Sequence, residues 1–501
     1  MRLKCLEGKR LAAKVAYAKV RFCNFSHDAR SALQCHIERG VCALHDVEEF
    51  EALIRGEAKS FFDGLGDVVV TRAPGRIDVM GGVADYSGSV VLEGNIAEAC
   101  MTAIQLRSMR SVKVWSYGIE REGMQPIFEL PLDALCDARG WIPYDQAREL
   151  LKREPKTSWV AYPIGVLLVL LREGVIKSLP LGFNIFIHSK VPMGAGVSSS
   201  AAIEVSAMMA LNVILELNLD GLKLARLCQM AENYVVGAPC GIMDQVTSAL
   251  CEEGKLIAIK CQPHDVLGMH EIPKGCMIVG VDSKVKHAVG GRRYRRTRVG
   301  AFMGFKIIRK VSMMDYGGYL CNVSTKEYVK KYRNLLPSKI RGYEFLREYG
   351  SIDDVTEVEP NETYSVRGCT EHPIYENERV QRFIKLLEKA NRSGDERYLV
   401  MAGKLMYASH WSYSKRAGLG CKETDLIVKL ARQCGVERGI YGAKITGGGC
   451  GGTVVLLIRD DSLATVEWIA DEYHRLSGMK PTIFMGTSMG AFQFGHRRVK
   501  L

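Results

Sequence analysis

The sequence predicts an α+β protein of two domains, on three observations. At 501 residues the chain is longer than one hydrophobic core keeps organising, so more than one domain is expected. Short apolar runs of strand character and longer amphipathic stretches follow one another without the strict alternation of a parallel α/β fold. The second half closes with a glycine-rich loop, a strand, a helix and a strand, a layout that packs as an α+β sandwich. The expected division is an extension of unknown role over 1–65, a first domain over 66–270 and a second over 271–501.

In chain order, residues 1–65 carry more Lys and Arg than acid and read as a helical extension or the remnant of something larger, with an organelle-targeting segment as the alternative. From Asp67 the run Val68–Thr71 predicts a buried strand, followed by a turn at Ala73-Pro74-Gly75-Arg76. Further strands are predicted at Ala103–Leu106, Val112–Ser116 and Gly182–Ile187, and buried helices at Trp159–Glu173 and Ala201–Glu216. Leu224, Leu227, Cys228 and Ala231 fall at i, i+3, i+4 and i+7, so Leu222–Val236 is an amphipathic helix. In the second half come strands Met277–Val281, Thr453–Ile458 and Thr482–Met485 and helix Leu463–Leu476.

Composition excludes several function classes. With 47% hydrophobic and 25% charged residues the chain is an ordinary globular one. Its longest apolar stretch, Trp159 to Leu171, is 13 residues and stops at Arg172, too short to cross a bilayer. Sixteen cysteines include no C-x-x-C pair, which predicts reduced thiols and a cytoplasmic setting. The formal charge is +12, and Arg292 to Arg298 hold five arginines in seven residues. Such a run is either a solvated, ion-paired surface or a rim that attracts a phosphorylated ligand. No recognised nucleic-acid motif accompanies it, so neither nucleic acid nor membrane is expected as a partner, and a monomer is expected.

The most informative segment is Pro192-Met193-Gly194-Ala195-Gly196-Val197-Ser198-Ser199-Ser200-Ala201. A glycine turn directly before a helix start can converge its backbone N–H groups on a phosphate, and the serine hydroxyls can ligate a cation. A plain turn capped by serine has the same look. No Walker-type lysine follows, the protein-kinase motifs are missing, and Ser199 stands where a Rossmann fingerprint needs glycine. Cationic help must therefore come from elsewhere, with Arg76 and a metal as candidates.

Three segments, Arg76 with Asp85 and Tyr86 behind it, the Gly/Ser loop at 192–200, and the glycine loop at 446–452, resemble in order and separation the three motifs of the GHMP kinases. The resemblance covers roughly residues 68 to 495 and implies a two-domain GHMP kinase fold. Its N-terminal domain is like the second domain of ribosomal protein S5, and its C-terminal domain is ferredoxin-like. Arg72-Ala-Pro-Gly-Arg-Ile-Asp-Val-Met-Gly-Gly-Val-Ala-Asp-Tyr86 is similar to the galactokinase signature A-P-G-R-V-N-L-I-G-E-H-T-D-Y. Where that signature has Glu and His, this chain has Gly82 and Val83, a pattern similar to L-arabinokinases. A carboxylate awaiting a hydroxyl that a pentose lacks would cost about 1–3 kcal/mol, and Gly82 removes it; alternatively Gly82 only permits a tight turn.

The resemblance also implies roles. Ala231-Glu232-Asn233 and Gly237 to Gln245 are similar to the galactokinase pattern A-E-H and G-x-P-C-G-I-M-D-Q, which makes Glu232 with Ser200 the magnesium ligands and Asp244 the catalytic aspartate. Asp244 would orient and deprotonate a sugar's anomeric hydroxyl while Arg76 offsets charge. Pro192, Gly194, Gly196, Val197, Ser198, Ser199, Ser200 and Ala201 would hold the nucleotide. Asp85, Tyr86, Gly82, Asp244 and Tyr294 would face the sugar, Tyr294 by its spacing from His287; a surface tyrosine is the plainer reading. Gly447, Gly448 and Gly449 would form a closing loop. The region from Arg367 through His372 to Arg379 is assigned to structure, and His372 is not expected to bind metal. The expected activity is ATP- and Mg²⁺-dependent phosphorylation of a monosaccharide at carbon 1, L-arabinose ahead of galactose. A silent sugar sensor on the same scaffold is the rival from another class. Plant relatives carry a glycosyltransferase-like region ahead of the kinase part, whereas about 65 residues precede it here.

Overall fold

A single long strand organises the first sheet. In the computed structural model, which describes residues 42–501 apart from 139, 239, 287–290 and 353–355, β1 (Leu65–Met80) runs straight through the predicted turn at Ala73–Arg76. The ladder to β2 (Val90–Arg107) is antiparallel and shifts register between Pro74 and Arg76. Pro74 has no N–H to give the ladder, so the chain bulges there instead of turning. Gly75 accommodates the close approach of the Val197 carbonyl, only 2.8 Å from where a Cβ would stand.

β3 (Ser111–Ser116), β4 (Ile127–Pro131) and β5 (Gly182–Ser189) extend the sheet. Its order is Arg497–Val499, β1, β2, β5, β3, β4, and only the β3–β5 pairing is parallel. β6 (Lys255–Lys260) pairs with the start of β2, and β7 (Asp265–Glu271) with β6. The predicted strand at 103–106 is thus only the end of an 18-residue one; the polar Glu93 and Asn95 interrupt its apolar pattern.

A second sheet comprises β8 (Cys276–Asp282), β9 (Ile440–Ile445), β10 (Thr453–Arg459) and β11 (Thr482–Phe484), in the antiparallel order β9, β10, β8, β11. The expected α+β class holds; two further pairs, Cys136–Asp137 with Gly140–Trp141 and Ile340–Arg341 with Thr363–Tyr364, form small two-stranded sheets of their own.

Among the described residues, those up to Glu49 belong to one unit and Phe50–Leu501 to another. The described part of the former is the start of α1 (Cys42–Arg55); the rest of the predicted extension lies outside the described residues. In the larger unit α2 (Tyr144–Lys152) and the apolar α3 (Ala161–Arg172) precede α4 (Ser199–Ile214), which lies on β1 and β2. α5 (Gly221–Met230) starts at an Asp220 cap and runs on through a π-helical turn, Ala231–Val236, that brings Glu232 inward. Gly237 in the left-handed region ends it before α6 (Met243–Leu250).

α7 (Arg292–Ser312) contains the arginine run, which is therefore helical, and two of its arginines are ion-paired. Arg292 and Arg296 bind Glu362, while Tyr294 and Thr297 of the same turns are buried. α7 packs on the 28-residue α8 (Val366–Ser393). α9 (Glu396–Trp411) and α10 (Lys422–Cys434) cover β9, and α11 (Leu463–Ser477) packs on α10. The end of the chain returns to the first sheet: Ser488 Oγ donates to the Ile96 carbonyl at 2.7 Å, Asn95 Nδ2 donates to the Ser488 carbonyl at 3.1 Å, and Val68–Val70 pair with Arg497–Val499. Among the described residues no helix is long and apolar enough to cross a membrane, and the described cysteines are free thiols.

Candidate active site

Where β1 bulges, α4 begins and α6 begins, three predicted residues meet. The Arg76 Nε donates to Asp244 Oδ1 at 2.8 Å, and its Nη1 donates to the Gly196 carbonyl at 2.9 Å. Ser198 Oγ donates a short bond to Asp244 Oδ2. Asp244 is thus held on both oxygens. Burial works against the charge of Arg76, yet the carboxylates of Asp244, Glu93 and Asp78 push its pKa up. It remains a fixed cation.

The Gly/Ser loop has the conformation of a cradle. Gly194 and Gly196 both take φ 74°, and Ser198 sits in the left-handed region at φ 58°. Because its hydroxyl is spent on Asp244, Ser198 gives α4 no side-chain cap, so the first amides of that helix face the cavity ready for an anion. Strain of this kind in a non-glycine residue is characteristic of functional turns.

These groups line a cavity of about 250 Å³ shared by Arg76, Asp85, Gly194, Gly196, Ser198, Ser199, Ser200, Glu232, Asp244, Tyr294, Gly447 and Gly448. Its apolar side, Ile119, Trp159, Tyr162 and Met193, was not foreseen. Pro192, Val197, Ala201 and Gly449 do not line it; Val197 and Ala201 are core, and the Val197 carbonyl accepts from Arg76 N at 3.0 Å.

Glu232 is buried, and burial together with the charge of Asp244 pushes its pKa up to about 7. Ser200 and Gln245 bond to it, the latter at 2.6 Å. Two mutually repelling carboxylates beside a serine hydroxyl are a hard-oxygen donor set, which fits a Mg²⁺ ion that takes its other ligands from substrate and water. Among the described residues no cluster of three or more His, Cys, Asp or Glu converges as a metal centre.

At the other end, Asp85 is buried with its Oδ1 unpartnered, and burial, then Asp244, push its pKa up to about 6. Such an oxygen is ready for a hydroxyl donor. Tyr86 stands behind it instead of in the cavity wall, edge-on to Tyr294 at 6.2 Å, with its hydroxyl buried and unbonded.

Gly82 needs correction as a sugar contact. It does not line the cavity. A Cβ there would lie 2.2 Å from Asp78 Oδ2 and 2.8 Å from the Tyr413 hydroxyl, so the volume is already filled. Asp78 pairs with Lys444 Nζ at 2.7 Å, both fully buried. The galactokinase signature has Asn where this chain has Asp78, whose partner Lys444 on β9 was hidden in an apolar run. Lys444 leads into the glycine loop, where Thr446 Oγ1 accepts from Asp78 N at 2.7 Å and the Tyr413 hydroxyl bonds the Gly447 carbonyl. A Cβ at Gly447 would stand 2.8 Å from the Gly196 carbonyl, so the two glycine loops touch.

Glu93 was also missed. It lies 3.3 Å from Arg76 Nε, and burial followed by the charge of Asp78 holds its pKa well up. Glu204, one turn into α4, shares Gln245 with Glu232 through a 3.1 Å bond. His372 is structural as expected: its ring bonds Ser412 Oγ and the Gly82 carbonyl, and burial lowers its pKa to about 4. His287 lies outside the described residues.

The chain is similar to known proteins. Residues 161–252 match the GHMP kinases N terminal domain and residues 380–467 the GHMP kinases C terminal region. An L-arabinokinase of Arabidopsis thaliana is 38% identical over 91% of this chain, which spans about half (50%) of that relative's length. A galactokinase of Streptomyces coelicolor is 30% identical over 83% of this chain and 91% of its own. A galactokinase of Lactococcus lactis complexed with galactose superposes with a TM-score of 0.69 at 23% identity, covering 90% of this chain and 100% of that one.

Proposed function

The chain belongs to the GHMP kinases, and from that premise we propose that it transfers the terminal phosphoryl group of ATP to the anomeric hydroxyl of a monosaccharide. The observation that carries this is the Arg76–Asp244–Ser198 constellation facing the uncapped start of α4. Asp244 accepts the proton of the attacking hydroxyl; Ser198 and Arg76 hold its carboxylate in place. Arg76 keeps its charge and meets the negative charge that builds on the transferring group. The amides of Gly194–Ser200 grip phosphate oxygens, and the wall of Ile119, Trp159 and Tyr162 suits the base. Ser200 and Glu232 are the residues that would hold Mg²⁺, which when bound neutralises charge on the phosphates. Asp85 offers its free oxygen to a ring hydroxyl.

The substrate is L-arabinose on this reading, supported by the 38% identical relative and no longer by the Gly82 pocket. Galactose is the second reading, favoured by the relative matched over 91% of its length. The test is ADP release with MgATP and, separately, L-arabinose, D-galactose, D-galacturonate, L-fucose and mevalonate. Turnover highest with arabinose is expected. Preference for galactose keeps the mechanism and replaces the substrate; binding of sugar without turnover leaves a sensor.

A further inference from the structure

Behind Asp85, on the side away from the catalytic cavity, lies a second cavity of about 360 Å³. Arg226, Arg298 and His264 line it, and Asp85 is the only carboxylate among its lining residues. The cations of the neighbouring surface are engaged: Arg292 and Arg296 bind Glu362, Arg309 binds Asp315, and Lys306 and Lys310 bond backbone carbonyls. Arg226 and Arg298 have no ion pair among the described residues. Arg298 stacks on Phe302 at 5.2 Å and on Tyr86 at 5.8 Å, and its Nε is buried without a hydrogen-bond partner. Two guanidinium groups without an ion pair among the described residues, on one small concave wall, suit a tetrahedral oxyanion, whose oxygens accept their forked donors.

The wall between the two cavities is thin. Both are lined by Asp85, Cys240 and Gly241. A Cβ on Gly241 would come 1.6 Å from Asp85 Oδ2, so the carboxylate lies directly on the glycine and no substrate group passes between them. The cavities are separate but share one acid.

We propose that this second cavity binds a small phosphate-bearing anion, and that its occupant weakens the hold of the catalytic cavity on sugar through Asp85. Arg298 supports the negative charge of Asp85 when the cavity holds no anion. An occupant draws that guanidinium to itself and sets a second negative charge against the acid. By linkage, sugar weakens the anion by the same factor.

The binding half stands on geometry alone; the coupling half rests on the sugar reading above. The experiment uses the whole chain saturated with Mg²⁺ and a non-hydrolysable ATP analogue, so that the Gly/Ser loop is filled. Inorganic phosphate and glycerol 3-phosphate are titrated by calorimetry into the wild type, Arg226→Lys and Arg226→Glu. Arg226 is exposed on α5 and outside the catalytic cavity. We expect Arg226→Glu to bind the better probe at least about ten-fold more weakly, with Arg226→Lys in between and the turnover of Arg226→Lys without added anion unchanged. The tighter probe tells free phosphate from a phosphate ester. Equal binding by wild type and Arg226→Glu, or no binding of either probe at millimolar concentration, overturns the site. If binding depends on Arg226 but sugar affinity does not respond to the probe, the coupling is overturned. If no sugar binds at all, the sugar reading has failed, while the phosphate titration still decides the site.

Discussion

Asp244 receives hydrogen bonds from Arg76 and Ser198 on opposite oxygens, so replacing it by Asn keeps shape and removes the proposed base. Asp244→Asn is expected to lower turnover by about two to four orders of magnitude with nucleotide affinity nearly unchanged. ADP release and a nucleotide titration check it together, and near-normal turnover would take Asp244 out of its role. Asp85 predicts a pH dependence. Its pKa rises from 3.8 to about 6 by burial first and Asp244 second, so the folded state holds its proton more tightly than the unfolded chain. Stability from this group therefore falls as pH rises from 3.8 to about 6, and above that the ionised acid costs about 3 kcal/mol. Sugar binding runs the other way, since only the carboxylate accepts fully from a hydroxyl. KM for sugar should rise as pH falls through about 6, and in Asp85→Asn the profile should flatten. The serines and Arg76 were legible because each stands in a short motif with its own chemistry, whereas Asp244 and Glu232 were legible only through the resemblance of their segment to the galactokinase pattern. Glu93, Glu204 and Lys444 were not, because a lone charge in an apolar run signals only that something distant neutralises it.

At the scale of elements, what sequence pattern recovered were runs of one period: α3, α4, β3, β5 and the strand–helix–strand close of the chain. It missed the continuity of β1, since Pro74 and Gly75 signal a turn locally and only pairing with β2 turns that signal into a bulge. It also placed Gly82 in the sugar pocket, where tertiary packing gives the volume to Asp78. The pair Asp78–Lys444 links β1 of the first sheet to β9 of the second and carries the glycine loop with it. Lys444→Met leaves a buried carboxylate unpaired and is expected to destabilise by about 3–5 kcal/mol, whereas Lys444→Met combined with Asp78→Asn should recover part of that. Urea unfolding of both variants measures it; equal loss in single and double variants would show that the pair is not coupled.

At the scale of the whole molecule, two sheets share one catalytic cavity through the touching loops at Gly196 and Gly447. Substrates that reach both sheets should stabilise them together. An ATP analogue at about one hundred times its dissociation constant adds about 2.7 kcal/mol, a shift of about 3 °C for a unit this long, in a single transition. Calorimetry showing two transitions with only one displaced would mean that the sheets unfold independently.

The last residues of the chain, bonded to Asn95 and Ile96 and paired with Val68–Val70, impose an order in time. A ribosome delivers the first sheet's central strands long before the strand that closes it. Until Arg497–Val499 emerges, β1 has an open edge just upstream of Arg76, an invitation to pair with a neighbouring nascent chain. Production of this protein should therefore gain from slow expression in the cold or with chaperones present, and suffer from any truncation that removes Arg497–Val499.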